Sequence, residues 1–148
     1  MKHRIAVLAA ALAMPFSTMA CSDDEPANAV PDDVWTVVED YRQAWNDYDS
    51  EAFLGLVTEN YHFVMNGTET DAQTQAGYIS GAMRSAEWEG TNVGDSIVAG
   101  DGPYYVAVTN QLTTAATPDG VEGLSTITVV DDDGVLKVSE HVYEGGTP

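Results

Sequence analysis

In this 148-residue sequence, the side chains able to do chemistry are two of its three histidines, one cysteine, an aspartate run and a set of aromatic rings. His62 and His141 lie outside the basic N-terminus, each in a β-branched, aromatic stretch that reads as a strand. Glu140 adjoins His141. Successive strand residues point to opposite faces, so these two do not form an acid–base dyad. By the same rule His62 faces away from the core if Phe63 faces it. Both histidines therefore read as surface or hydrogen-bonded side chains rather than as bases. Asp131, Asp132 and Asp133 before Gly134 lack the spaced oxygens and distant Glu of a calcium loop and read as a solvated turn. The sequence has no zinc-ligand spacing, glycine-rich phosphate loop or Gly-x-Ser-x-Gly elbow. No metal and no cofactor is expected. Asn66-Gly67-Thr68 matches a glycosylation acceptor, a pattern short enough to arise by chance. The aromatic residues carry more weight, because tyrosines whose hydroxyls need partners often line wet pockets. Tyr41, Trp45, Tyr78, Trp88, Thr126 and Tyr143 are the expected wall of a ligand pocket. Tyr41 is the candidate donor to a ligand carbonyl.

The N-terminus reads as an address. Lys2, His3 and Arg4 precede an apolar run from Ile5 to Met14, and small residues close the segment before Cys21. The run is shorter than the roughly 20 residues that cross a bilayer, so residues 1–20 read as a secretory signal peptide. Cys21 is the only cysteine, which excludes an internal disulfide scaffold. The segment resembles a bacterial lipoprotein signal, which implies cleavage before Cys21 and acylation of it. Thr18 stands where that pattern prefers Leu, and ordinary signal-peptidase cleavage with free secretion is the other reading. Residues 21–31 read as a flexible tether. Localisation is expected to be extracytoplasmic, with the membrane reached through the lipid alone. The formal charge of −19 argues against nucleic acid, whose phosphates need cations to replace their counterions.

From Asp32 the pattern becomes that of a folded domain. Val34, Val37, Val38, Tyr41, Trp45 and Tyr48 recur at helical spacing. Asp49 and Ser50 offer a new N-cap for a short helix carrying Phe53, Leu54 and Val57. Tyr61–Asn66 reads as a strand and Asp71–Ser85 as a third helix. Asp101-Gly102, Asp119-Gly120 and Asp133-Gly134 are hairpin signals. They separate four expected strands, Trp88–Ala99, Tyr104–Thr114, Val121–Val130 and Val135–Tyr143. The expected architecture is α+β: three N-terminal helices packed on a curved, mixed, mostly antiparallel sheet. It forms a single domain over 32–144, followed by a tail over 145–148. A bent sheet closed by helices is a cone, and a cone encloses a pocket.

The order of elements resembles the nuclear transport factor 2-like superfamily, which includes ketosteroid isomerases and SnoaL-like polyketide cyclases. The best-matching stretch is Tyr41-Arg42-Gln43-Ala44-Trp45-Asn46-Asp47-Tyr48-Asp49-Ser50-Glu51, continuing to Thr58-Glu59-Asn60-Tyr61. Set on the ketosteroid isomerases, the first helix puts Tyr41 at the oxyanion tyrosine and Met65 at the base. Counting back from Gly134 puts Thr126 at the oxyanion aspartate. A thioether takes no proton at neutral pH, so the reading leans against an enzyme. Together with the leader and Cys21, the resemblance and the missing base give the expectation of an exported, lipid-anchored module that binds a small apolar ligand or a protein partner in or around its cone. The alternative is a cyclase, dehydratase or isomerase acting on a small polyketide- or steroid-like substrate. Pairing of two copies through the sheet is the partner expectation.

Overall fold

The computed structural model describes residues 31–148 apart from Asp95. The expected leader over 1–20, the acylation site Cys21 and the tether as far as Val30 lie outside the described residues.

Helix α1 spans Asp32–Asn46 and buries Val34, Val38, Tyr41, Ala44 and Trp45, a stripe set by the 3.6-residue period. Asp32 and Asp33 stand in its first turn, where the helix dipole favours negative charge. The chain reverses at Tyr48, whose φ is 57° and whose hydroxyl donates to the Trp88 carbonyl at 2.8 Å. Asp49 then caps α2 (Ser50–Leu56), its carboxylate accepting from the amides of Glu51 at 3.1 Å and Ala52 at 2.9 Å.

Strand β1 runs over Val57–Met65 and turns through Asn66-Gly67 into β2 (Thr68–Asp71). Both turn residues have positive φ, 49° and 83°, as a two-residue hairpin demands. Asp71 caps α3 (Ala72–Tyr78) by accepting from the Thr74 amide at 2.7 Å. The helix continues through a π turn over Ile79–Met83. Strands β3 (Glu89–Asn92), β4 (Ile97–Ala99), β5 (Tyr104–Thr114), β6 (Thr117–Asp132) and β7 (Val135–Gly145) complete the fold.

All seven strands join one sheet in the order β2-β1-β7-β6-β5-β3, with β4 also on β5. The β1·β7 pair is parallel and the other pairings are antiparallel. The helices cover the concave face, so the fold is the α+β cone the sequence implies. Alternation along each strand sets what faces inward. On β5, Val106, Val108, Asn110, Leu112 and Thr114 are buried; on β6, Ser125, Ile127 and Val129 are.

Three local expectations are corrected. The stretch Trp88–Ala99 is not continuous; pairing to β5 breaks between Asn92 and Ile97. Asp119-Gly120 is not a hairpin tip. The β5–β6 reversal is at Ala115-Ala116, stabilised by the Thr117 amide donating to Thr114 Oγ1 at 3.1 Å. Gly120, at φ 71°, instead lies inside β6 where the register shifts. Finally, β2 is an additional strand, announced by an Asn-Gly pair.

Candidate functional site

The hollow under the helices has two chambers. The outer has a volume of about 700 Å³ and the inner about 50 Å³. Trp45, Phe63, Met65 and Trp88 line both. The outer chamber is completed by Gln75, Tyr78, Ala82, Met83 and Ala86 from α3 and its continuation, by Asn66, Thr68, Thr70, Thr114 and Ala116, and by Thr147 and Pro148. No ionisable group other than the Tyr78 phenol is found among these side chains. The last two residues reach the chamber because Asn66 holds the chain beyond β7. Its amide donates to the Gly145 carbonyl and accepts from the Gly145 amide, both at 3.1 Å.

The inner chamber is also mostly apolar, with a few polar side chains in its wall. Arg42, Asn110, Ser125, His141 and Tyr143 contribute to its wall. Behind it runs a buried chain of hydrogen bonds. Tyr61 and Tyr41 share one between hydroxyls at 2.7 Å, and the Tyr41 hydroxyl lies 3.0 Å from His141 Nδ1. His141 Nε2 is 2.8 Å from Ser125 Oγ, which accepts from Asn110 Nδ2 at 2.6 Å. Burial pulls the His141 pKa down to about 3, with the nearby Arg42 guanidinium adding to the effect. The imidazole is therefore neutral, with one ring N–H. Burial likewise pushes the Tyr41 and Tyr61 phenols up, so both keep their protons. Rings pack around the chain: His141 lies 4.9 Å from Phe63, 5.6 Å from Trp45 and 5.7 Å from Tyr41, centroid to centroid.

The expected wall residues fall in four places. Trp45 and Trp88 line both chambers, Tyr143 the inner and Tyr78 the outer. Tyr41 stands behind the inner wall, where its hydroxyl is engaged by Tyr61 and His141 rather than offered to a ligand. Thr126 lies on the other face of the sheet, paired with Ala107, and belongs to neither chamber. A period of two makes its neighbour Ser125 the inward residue. Met65, set at the base position by resemblance, is in the wall of both chambers.

The histidines also differ from expectation in part. His62 is on the outer face, bonded to Glu140 at 2.8 Å across the β1·β7 pair. His141 puts an imidazole into the inner wall, where none was expected. Phe63, Asn110 and Ser125 were missed as well. Strand parity identifies Phe63 once Asn66-Gly67 is read as the β1–β2 turn, and Asn110 shares the parity of Val106 and Val108 on β5 as Ser125 shares that of Ile127 and Val129 on β6.

No protein-family model and no curated protein matches the chain. Solved structures do. A protein of unknown function from Mycobacterium tuberculosis superimposes with a TM-score of 0.65 at 17% identity, over 78% of this chain and 70% of that one. A candidate polyketide cyclase from Sinorhizobium meliloti gives 0.60 at 16%, over 78% and 95%. A candidate ketosteroid isomerase from Shewanella frigidimarina gives 0.61 at 12%, over 75% and 94%. Nuclear transport factor 2-like proteins of unknown function from Shewanella baltica and Cytophaga hutchinsonii also match. The chain has the cone fold of the nuclear transport factor 2-like superfamily.

Proposed function

We propose that the chain is a binding module for a small, uncharged, ring-bearing molecule held in the outer chamber. The single observation that carries this reading is the chamber wall. At about 700 Å³ it has the size of a pocket for a multi-ring compound. Its rings and thioethers come from Trp45, Phe63, Tyr78, Trp88, Met65 and Met83, and its polar groups are amides and hydroxyls. A charged ligand would lose its hydration there without gaining a counter-charge from any side chain of the wall. Substituting Ala82, which lines the chamber, by Trp tests the reading. Quenching of tryptophan fluorescence by neutral ring compounds should be strong for the natural chain and weakened at least about tenfold for Ala82→Trp. Equal quenching of both proteins would contradict it.

Export and lipid anchoring are part of the same proposal and rest on the leader and Cys21. Partition into a detergent phase should be lost in Cys21→Ser. Association of two copies is supported by Tyr105 and Leu124, exposed on the outer sheet face. Light scattering that returns a monomer mass would remove it.

A second reading has one observation behind it: His141 and Ser125, within hydrogen-bond distance, form part of the inner wall. An isomerase, dehydratase or cyclase needs a group that takes a proton. An imidazole with a pKa of about 3 is a weak base, which places this reading second. Turnover of a small enolisable ketone that disappears in His141→Gln would promote it.

A further inference from the structure

We infer that the inner chamber is a hydrogen-bond-donating subsite that seats a carbonyl-type acceptor at one end of the ligand, with the Ser125–Asn110 pair supplying the proton. This rests on the binding reading above and deepens it.

Counting protons along the buried chain gives the direction. The neutral His141 ring has one N–H and one bare nitrogen. If the N–H is on Nδ1, it donates to Tyr41, and Tyr41 must donate to Tyr61. The Tyr61 proton then has no acceptor among the described residues, although Tyr61 is only 2% exposed. If the N–H is on Nε2, Tyr61 donates to Tyr41, Tyr41 donates to Nδ1, and Nε2–H donates to Ser125 Oγ. Every proton then has an acceptor as far as Ser125. The Nε2–H arrangement also leaves one donor over, but at Ser125, which lines the inner chamber, whereas Tyr61 lines neither chamber. A donor stranded at Tyr61 is therefore the costlier.

Ser125 Oγ now accepts twice, from His141 and from Asn110 Nδ2 at 2.6 Å. Both its lone pairs are used, and its own proton remains to be given. Asn110 Oδ1 is buried without a partner. Turning the Asn110 amide over would let Ser125 donate to it and would free an Asn110 N–H instead. The chain ends on a donor in either case, and both residues line the inner chamber. A volume of about 50 Å³ exceeds the ~15 Å³ that one water-sized group requires. Arg42 also enters this wall, with its guanidinium paired to Glu39 at 3.0 Å, so its positive potential at the chamber is largely offset.

9-Fluorenone, fluorene and fluorene-9-carboxylate test the subsite by calorimetric titration of the protein. The ketone should bind about five- to tenfold more tightly than the hydrocarbon, the worth of one net hydrogen bond. The gap should narrow in at least one of Ser125→Ala and Asn110→Leu. Should either variant fail to fold, the carbonyl stretch of fluorenone bound to the natural protein decides, and it should lie below its value in hexane. Equal affinities with an unshifted stretch would overturn the subsite and leave the binding reading standing. Tighter binding of the carboxylate would overturn it in favour of an anion site. Binding of none of the three would remove the binding reading and the subsite together.

Discussion

His141 Nε2 and Ser125 Oγ lie 2.8 Å apart on the adjacent strands β7 and β6. The contact exists because both residues face inward and sit diagonally across the antiparallel pair, with Ser125 opposite Tyr143 and Ile127 opposite His141. It ties the wall of the inner chamber to Tyr41 on α1, so helix and sheet are joined by polar as well as apolar contacts.

The low pKa of His141 makes stability depend on pH. The folded protein resists protonation down to about pH 3, whereas an unfolded chain takes up the proton near 6.5. The contribution of this group is therefore complete above pH 6.5 and is lost as pH falls towards 3, at no more than about 1.4 kcal/mol per unit. Between pH 7 and pH 5 the loss from this group is about 2 kcal/mol. Urea unfolding at the two pH values should show a drop smaller by that amount in His141→Gln than in the natural chain. Identical drops would contradict the buried, neutral imidazole.

Tyr41→Phe removes the middle of the hydrogen-bonded chain while keeping the ring that packs on Phe53 and Trp45. It leaves the Tyr61 hydroxyl and one His141 nitrogen without partners. The expected cost is about 1–3 kcal/mol in chemical denaturation. A neutral substitution would show that water replaces the phenol.

Gly123 is held by the Tyr143 ring. A Cβ there would run into the ring and its hydroxyl, and that hydroxyl is fixed by donating to the Gly146 carbonyl at 2.6 Å. Gly123→Val should destabilise by about 1–3 kcal/mol or more. Adding Tyr143→Ala should recover part of that overpacking strain, as a double-mutant cycle would reveal.

The helices were legible because Val34, Val38, Tyr41 and Trp45 repeat at one turn and Asp49 and Asp71 are short acceptors at helix starts. Asp133-Gly134 was legible for a similar local reason, with φ of 55° and 85° in a two-residue turn. Asp119-Gly120 misled because the same dipeptide serves a bulge, where Gly120 gives way to the Gln111 and Thr113 side chains. Register was the larger difficulty. The extra residue at the β6·β7 shift between Thr128 and Val129 is Ser139 of β7, so the inward parity of β6 runs unbroken from Val129 to Ser125. The count back from Gly134 reaches Thr126, and nothing local to the turn marks Ser125 as the inward residue. The pairing of His141 with Tyr41, a hundred residues apart, follows from the packing of α1 across β7 and had no local sign.

The central claim is a chamber for uncharged rings, and the melting temperature of the natural protein tests it most directly. Uncharged two- to four-ring compounds, fluorenone among them, should raise it; at a hundred times the dissociation constant the stabilisation is about 2.7 kcal/mol. Carboxylate and amine derivatives of the same rings should raise it far less. An unchanged melting temperature with every uncharged compound, or an equal rise with the charged ones, would contradict the account.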